Sequence, residues 1–215
     1  MRDWIGAVRR RWRGAPSPTG TAAYWEERYR SGGTSGAGSY GELARFKADV
    51  LNRLVDDEHI ASVVELGCGD GNQLSLANYP RYLGFDVSAA AIELCRARFA
   101  GDPTKAFELY RPGRRPRLNA AVADMALSLD VIYHLLDDAV FERYMSDLFG
   151  LGRRLVVVYS SDAEIPDPAG HVRHRSFSPW VQQNQGDWEL ARKVANPFAG
   201  VDPSAVADFY IFARR

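Results

Sequence analysis

Residues 63–74 read VVELGCGDGNQL, and this stretch decides the fold. It starts with a short apolar run rich in β-branched side chains, which is typical of a buried strand. Three alternate glycines follow at positions 67, 69 and 71. Glycine permits a tight turn in which the main chain approaches a ligand closely. A helical pattern begins at about Asn72, and a helix there would direct free N–H groups and the positive end of its dipole toward that ligand.

The spacing of the glycines distinguishes this loop from a dinucleotide-binding loop. The dinucleotide fingerprint is G-x-G-x-x-G, whereas this loop reads E-x-G-x-G-x-G. It resembles the first motif of the class I S-adenosylmethionine (SAM)-dependent methyltransferases, and every fixed position of that motif is met. The resemblance implies that the turn lies under the methionine and ribose parts of SAM. The loop residues that it assigns to the cofactor are Glu65, Gly67, Cys68, Gly69, Gly71, Asn72 and Gln73.

A second short apolar run, residues 82–86, ends in a carboxylate. A fixed carboxylate at the end of a second strand can accept hydrogen bonds from both hydroxyls of a ribose. The resemblance gives Asp86 this task on SAM and assigns Val87 to the same pocket. Considered alone, Asp86 would more often be an N-terminal residue of the helix predicted over residues 89–99.

The segment that follows the predicted fourth strand reads SLDVIYHL, residues 128–135. It resembles the fourth motif of the family, which lies next to the methyl-bearing sulfur, so Ser128 and Leu129 are assigned to the cofactor. It is not the Asn/Asp-Pro-Pro-aromatic motif of enzymes that methylate exocyclic amines of bases. A hydroxyl acceptor needs a base instead, because its oxygen loses a proton as it attacks the methyl group.

His134 is the candidate for that base. It is the only imidazole in this segment, and its unperturbed pKa lies near neutrality. Asp130 or Asp137 could orient the ring. The alternative is a histidine that caps or packs the edge of the strand.

Polar side chains after the predicted fifth strand suit a polyhydroxylated acceptor such as a sugar. Residues 171–175 read HVRHR, and Ser161 and Trp180 lie near them in the sequence. Hydroxyls, guanidinium donors and an aromatic platform together favour such a substrate. The alternative is a solvated loop. The residues assigned to the acceptor are Asp130, Tyr133, Asp137, Ser161, His171, Arg173 and His174.

The segment after strand four and the later histidines are also compatible with a metal-assisted reaction. Some family members that methylate a ribose hydroxyl carry E-x-x-E-H after strand four and a later histidine, and they bind a divalent ion. The corresponding residues here are Asp130, Tyr133 and His134, with His171 or His174 as the later ligand. Because a tyrosine replaces the second carboxylate, no metal ligand is assigned.

The N-terminal part of the chain divides into a basic segment with its linker, residues 1–20, and the start of a single domain, residues 21–215. Residues 1–14 place Trp4, Val8 and Trp12 on one helical face. We expect a terminal helix on the protein's own surface or a frayed tail. An interfacial helix that touches anionic lipid or a partner is the alternative.

Residues 22–41 combine a helical pattern with a loop rich in glycine and serine. In related methyltransferases a segment just before the first strand covers SAM. Tyr24 and Tyr40, together with Trp25 and Tyr29, are therefore predicted to help close the cofactor pocket. A flexible loop is the alternative.

Composition limits the partners and the compartment. The 215 residues carry 27 Lys and Arg against 27 Asp and Glu, so the charge of the whole chain does not favour nucleic acid, and a small-molecule partner is expected. Two cysteines, Cys68 and Cys95, do not make a disulfide framework. No apolar run reaches membrane-spanning length and no signal-peptide core follows the start, so we expect a cytoplasmic protein without stable membrane insertion. The oligomeric state does not follow from the sequence.

Strands alternate with helices along the rest of the domain. We expect helices over residues 42–55, 89–99 and 138–149, strands over 82–86, 106–110, 126–131 and 154–159, and a closing strand pair over 188–197 and 207–213. This order predicts an α/β, Rossmann-like class I methyltransferase fold. Its sheet is mostly parallel and seven-stranded, with helices on both faces and an antiparallel C-terminal strand.

We therefore expect a SAM-dependent O-methyltransferase that acts on a hydroxyl of a small polar acceptor, a sugar or glycoside, with S-adenosylhomocysteine (SAH) as its product. In appearance the chain is similar to small bacterial methyltransferases of saccharide pathways, including those of methylated mannose polysaccharides. The alternatives are a methyltransferase of another natural product, of nucleic acid or of protein, and a non-catalytic SAM-binding scaffold. A nicotinamide-dependent oxidoreductase is disfavoured by the glycine spacing.

Overall fold

The computed structural model describes residues 20–111, 122–165, 172–202 and 205–215. Within these ranges seven strands form one sheet: β1 (Val63–Leu66), β2 (Tyr82–Asp86), β3 (Lys105–Leu109), β4 (Ala123–Leu129), β5 (Gly152–Ser160), β6 (Trp188–Val194) and β7 (Asp208–Arg214). The strand order is β3-β2-β1-β4-β5-β7-β6, and β7 runs antiparallel to both of its neighbours. The predicted mostly parallel sheet with an antiparallel C-terminal strand is confirmed. Residues 1–19 and His171 lie outside the described residues.

The α-helices in the described ranges are α1 (Gly20–Arg30), α2 (Gly41–Asp57), α3 (Ala89–Arg98), α4 (Asp138–Leu151) and α5 (Ser178–Asn184). None of them is both long and apolar enough to span a membrane. Successive side chains of a strand point to opposite faces of the sheet. Val64 and Leu66 of β1 belong to a core shared with α4, whereas Val63 belongs to a core shared with α2 and α3. Because both faces of the sheet are covered, β1 and β4 are buried along most of their length, and Glu65 is the charged residue within β1.

The chain behind the glycine turn does not form the α-helix predicted from Asn72. A single 3₁₀ turn, Leu74–Leu76, follows instead, so the helix dipole predicted at this loop is wrong. Pro80 disfavours the helical conformation in the residue before it and leaves too few residues for a stable helix. The side chain of Asn52 on α2 also holds the segment, since its amide donates to the Leu76 carbonyl at 3.0 Å.

The strand order changes direction at β1, which has β2 on one side and β4 on the other. In open α/β sheets a ligand binds beyond the carboxyl ends of the strands at such a switch point. Three segments of this chain end there: Gly67 follows β1, Asp86 ends β2 and Asp130 follows β4. The fold thus brings the predicted cofactor segments to one edge of the sheet.

Candidate active site

A cavity of about 820 Å³ lies at this switch point. Its volume is in the upper part of the range of small-molecule sites, about 300–1,000 Å³. The wall combines the loop after β1, the end of β2, the segment after β4, and side chains from α1 and α2. The predicted site residues that line it are Glu65, Gly67, Cys68, Gly69, Gln73, Asp86, Val87, Leu129, Asp130, His134 and Asp137.

The turn after β1 depends on glycine at Gly67 and Gly69. Their φ angles are 90° and 57°, in the left-handed region that favours glycine. The Gly67 N–H donates to the Phe85 carbonyl at 2.7 Å, which ties the turn to β2. A side chain at Gly69 would collide with the Ser35 hydroxyl and come within 3.1 Å of the Tyr29 hydroxyl. Only glycine therefore fits this turn at Gly69.

Asp70, which the sequence did not identify as a site residue, fastens this turn to the segment between α1 and α2. Its carboxylate accepts hydrogen bonds from the Ser35 N–H at 3.0 Å, the Tyr40 hydroxyl at 2.8 Å and the Asn72 N–H at 3.0 Å. Burial alone would raise the pKa of Asp70, but these hydrogen bonds outweigh burial and hold the pKa below its usual value. Tyr40 thus holds the loop and is not part of the cavity wall.

Asp86 is buried and lines the cavity at the end of β2. Its two carboxylate oxygens accept from the Gly69 N–H and the Ser88 N–H, each at 2.9 Å. Burial raises the pKa of Asp86 to about 6, although these hydrogen bonds oppose the rise. The carboxylate is therefore ionised at neutral pH, and its oxygens keep lone pairs for a ligand hydroxyl. The cap of α3 is Ser88, so Asp86 is free of the capping role that was its alternative.

Glu65 is a buried carboxyl group in β1 that lines the cavity. It accepts a hydrogen bond of 2.5 Å from the Tyr82 hydroxyl. Burial raises the pKa of Glu65 to about 7, although that hydrogen bond and the Lys47 ammonium oppose the rise. The cavity thus contains a carboxyl group that titrates near neutrality. Groups of this kind are concentrated at functional sites.

The segment after β4 is held by a lysine that the sequence analysis did not single out. Lys47 of α2 is fully buried, lines the cavity and places its ammonium 2.6 Å from a carboxylate oxygen of Asp130. The other oxygen accepts from the Tyr133 hydroxyl at 2.8 Å. Asp130 has a φ of 60°, a conformation that is uncommon outside glycine. A signal was present in the sequence, because Lys47 falls four residues after Leu43 and four before Leu51 on the apolar face of the helix.

His134 lines the cavity and packs edge-to-face against Trp25 of α1, with 5.0 Å between the ring centroids. Burial lowers the pKa of His134 to about 4, although the Asp130 carboxylate opposes this. The imidazole is therefore neutral at physiological pH. The hydrogen bonds of His134 in the described residues come from its backbone: its N–H donates to the Val131 carbonyl at 2.8 Å, and its carbonyl accepts from the Thr21 hydroxyl at 2.9 Å.

The expectation that Asp130 or Asp137 orients the His134 ring is not met in the described residues. Asp130 is engaged by the lysine and the tyrosine named above. Asp137 caps α4, where its side chain accepts from the Val140 N–H at 3.0 Å. Both carboxylates serve other groups, so the ring of His134 is held by aromatic packing against Trp25.

Helix α1 closes one side of the cavity. Trp25 and Tyr29 both line the cavity and stack with their ring centroids 5.7 Å apart. Glu26 anchors the helix to the start of α3, because its carboxylate accepts from the Ser88 hydroxyl at 2.7 Å. Tyr24 is not on the wall and packs edge-to-face against Trp25. That this helix and the following loop act as a cofactor lid stays a prediction.

Several residues predicted for the acceptor lie behind the segment after β4 and not on the cavity wall. The Ser161 hydroxyl and Nδ1 of His174 are 2.6 Å apart. The Arg173 N–H donates to the Tyr133 carbonyl at 2.7 Å, and its guanidinium forms an ion pair of 3.0 Å with Asp138 at the start of α4. The chain after β5 therefore supports this segment from outside. The predicted site residues that do not line the cavity are Tyr24, Tyr40, Gly71, Asn72, Ser128, Tyr133, Ser161, Arg173 and His174.

The described residues do not assemble the ligand set considered for a metal-assisted reaction. No three His, Cys, Asp or Glu side chains in the described ranges are grouped so as to hold a metal ion. Asp130 is engaged by Lys47, and His174 is engaged by Ser161. His171 lies outside the described residues.

Solved structures with the same fold are methyltransferases of several kinds. The N-methyltransferase NodS from Bradyrhizobium japonicum WM9, in complex with SAH, matches with a TM-score of 0.67 at 16% identity, over 90% of this chain and 98% of NodS. Magnesium protoporphyrin IX methyltransferase (ChlM) from Synechocystis PCC 6803, with bound SAM, matches with a TM-score of 0.67 at 13% identity, over 93% of this chain and 100% of ChlM. The methyltransferase domain of bacterial CtHen1-C matches with a TM-score of 0.65 at 19% identity, over 80% of this chain and 99% of that domain.

These likenesses show that the chain has the class I methyltransferase fold, as the sequence predicted. No family model and no curated protein sequence matches the chain. NodS is named as an N-methyltransferase and ChlM as a magnesium protoporphyrin IX methyltransferase, so the fold by itself does not define an acceptor.

Proposed function

We propose that the protein is a SAM-dependent methyltransferase that transfers a methyl group to a hydroxyl of a small polar acceptor, a sugar or glycoside. The observation that carries the proposal is the turn at Gly67 and Gly69 beside Asp86 on the wall of one cavity. Both glycines line the cavity, and a side chain at either position would collide with a neighbouring group, Val131 at Gly67 and Ser35 at Gly69. SAM, when bound, supplies a sulfonium methyl group that is electrophilic toward an oxygen.

The residues present fit SAM. Asp86 is ionised at neutral pH and can accept hydrogen bonds from the ribose hydroxyls. Val87 and Tyr110 line the same cavity and offer apolar surface to the adenine ring of SAM. The hydroxyl of Tyr110 is occupied by the Asp147 carboxylate at 2.8 Å, so the ring of Tyr110 is fixed in place.

We assign His134 as the general base that accepts the proton of the acceptor hydroxyl. Because burial lowers its pKa to about 4, the imidazole is neutral and able to accept a proton from an acceptor hydroxyl over the whole physiological pH range. The same low pKa makes it a weak base. Positioning must then supply most of the rate, with the acceptor oxygen held in line with the methyl group at a distance of about 3 Å.

The cavity also supports a small acceptor. Its volume of about 820 Å³ lies in the upper part of the range of small-molecule sites, which favours a small acceptor beside the cofactor over a large one. Trp25 offers a flat aromatic face on the wall, and Thr21 and Arg111 add a hydroxyl and a guanidinium. The net charge of zero for the whole chain gives a polyanion no general attraction.

Two measurements test the proposal in order. Titration calorimetry with SAM and SAH is expected to show binding, and its absence would overturn the cofactor assignment. Mass spectrometry of reactions with glycosides, phenols and amines is then expected to show methylated glycosides. Methylation of amines alone would overturn the O-methyl assignment.

The role of His134 has its own test. His134→Ala is expected to lower kcat by about 10²–10⁴-fold, the usual contribution of a general base, and to leave the Kd of SAH unchanged. His59→Asn, at an exposed histidine after α2, is the matched control and should leave both unchanged. An unchanged kcat in the His134 variant would remove His134 from the reaction.

A further inference from the structure

One buried polar side-chain atom next to the cavity has no hydrogen-bond partner in the part of the chain that the structure describes. Gln73 is buried and lines the cavity, and its Nε2 donates to the Ala44 carbonyl of α2 at 3.0 Å. A carbonyl can only accept, so this bond fixes which end of the amide carries the nitrogen. The other end, Oε1 of Gln73, has no hydrogen-bond partner in the described residues. A buried acceptor in this state is unfavourable until a donor reaches it.

A buried cation lies one helical turn from Ala44, the residue of α2 to which the Gln73 amide donates. Lys47 follows Ala44 by three residues on α2, so the two residues share a face of the helix. Lys47 is fully buried and lines the cavity, although a buried charge is costly without partners. Its ammonium has three donors, and the hydrogen bond to Asp130 uses one of them. Gln73 and Lys47 thus place an acceptor and a cation on the part of the cavity wall that lies next to α2.

We propose that Gln73 and Lys47 hold the amino-acid end of SAM. Oε1 of Gln73 accepts a hydrogen bond from the α-ammonium, and Nζ of Lys47 donates to the α-carboxylate. The inference rests on the proposed function. Asp86 accounts for the ribose at the end of β2, and the amino-acid end is the part of SAM in which a cationic donor and an anion are neighbours. These two contacts would make the protein bind the complete cofactor more tightly than nucleosides that lack the amino acid.

The contribution of Gln73 to cofactor affinity can be measured by comparing SAH with a ligand that lacks the amino-acid end. Titration calorimetry would measure the Kd of SAH and of 5′-methylthioadenosine for the wild type and for Gln73→Met, which keeps the length of the side chain and removes both the acceptor and the donor to the Ala44 carbonyl. The variant is expected to raise the Kd of SAH by about tenfold to a hundredfold, as for the loss of a hydrogen bond to a charged group. The Kd of 5′-methylthioadenosine should stay the same. Gln183→Met on α5, where the side chain is exposed, is the matched control.

The contribution of Lys47 needs a paired variant, because Lys47→Met alone would leave Asp130 without its counterion and could unfold the chain. Lys47→Met combined with Asp130→Asn removes both charges, and urea unfolding checks that the variant folds. This variant should bind SAH about tenfold or more weakly than the wild type and bind decarboxylated SAH as the wild type does. Equal losses for both ligands would overturn the assignment of Lys47.

The outcomes separate the two proposals. A wild type that binds SAH, together with a Gln73→Met variant that binds it equally well, would overturn the assignment of Gln73 and leave the proposed function standing. Equal weakening of SAH and 5′-methylthioadenosine would also overturn it, because the loss would then come from the shape of the loop. A wild type that binds neither SAM nor SAH would overturn the proposed function itself, and this inference with it.

Discussion

Glu65→Gln is expected to stabilise the protein by an amount that depends on pH. Burial in β1 raises the pKa of Glu65 from its usual 4.5 to about 7. Between these two pH values the folded protein keeps a proton on Glu65 that the unfolded chain has released. The stability that this residue contributes is therefore complete below pH 4.5 and is lost as the pH rises to about 7. Glutamine cannot ionise, and its side-chain oxygen can still accept from the Tyr82 hydroxyl.

The magnitude follows from the pKa of Glu65 in the two states. One unit of pKa corresponds to about 1.36 kcal/mol, so a rise from 4.5 to about 7 corresponds to about 3 kcal/mol. The free energy of unfolding of the variant should equal that of the wild type near pH 4. It should exceed the wild-type value progressively up to about pH 8 and by a constant amount above it. A gain of about 3 kcal/mol is a large share of the ~5–15 kcal/mol that typically stabilise a domain.

Urea unfolding followed by tryptophan fluorescence at pH 4.5, 6 and 8.5 measures this effect, provided that the slope m is the same for both proteins. Glu93→Gln, at an exposed glutamate of α3, is the control and should give a difference that does not vary with pH. A Glu65→Gln difference that is equally independent of pH would refute the argument, because it would mean that Glu65 does not hold its proton in the folded state.

Three further variants test other parts of the site. Asp86→Ala should weaken SAH binding in calorimetry by at least about tenfold, since a charge-assisted contact to the ribose is lost; unchanged affinity would remove Asp86 from the cofactor site. Asp137→Ala deletes the cap of α4 and should lower the free energy of unfolding in urea by about 1 kcal/mol; a loss of SAH binding without a loss of stability would contradict a capping role. Gly69→Ala combines a positive φ with a collision against Ser35 and should lower stability by about 2 kcal/mol or more; a neutral result would show that the turn has a different conformation.

The parts of the fold that the sequence predicted well are those whose signals are local. Strand β2 begins and ends at the predicted residues, Tyr82–Asp86, because an apolar run is bounded there by Pro80 and by an acidic residue with a helix cap behind it. Helix α4 begins at Asp138 as predicted, one residue after its cap. The glycine turn was predictable for the same reason, because three alternate glycines directly after an apolar run are themselves a local signal.

The features that the sequence did not reveal depend on contacts between distant segments. The 3₁₀ turn behind the loop is held by Asn52 from α2, a partner that the helical pattern at residues 72–77 does not reveal. The residues after β5 were assigned to the acceptor because hydroxyls, guanidinium donors and an aromatic ring together suit a polyhydroxylated substrate. In the structure Arg173 turns to Asp138, and the buried guanidinium of Arg175 donates to the Leu135 carbonyl at 2.7 Å. A cluster of cationic side chains can thus brace a backbone segment as readily as line a pocket, and the sequence pattern is the same in both cases.

The ion pair between Lys47 and Asp130 shows why the site extends beyond its motifs. The two residues are 83 positions apart, and neither belongs to the glycine turn. A buried ion pair is weak evidence for stability, because removing two charges from water offsets much of their attraction. Its effect here is on geometry: the pair holds the side chain of Asp130, whose backbone is in a left-handed conformation and leads directly into the turn that carries His134 to the cavity. Apolar replacements of Lys47 and Asp130 are expected to keep the free energy of unfolding and to free the turn that carries His134. Such a variant would lose catalytic activity without losing stability.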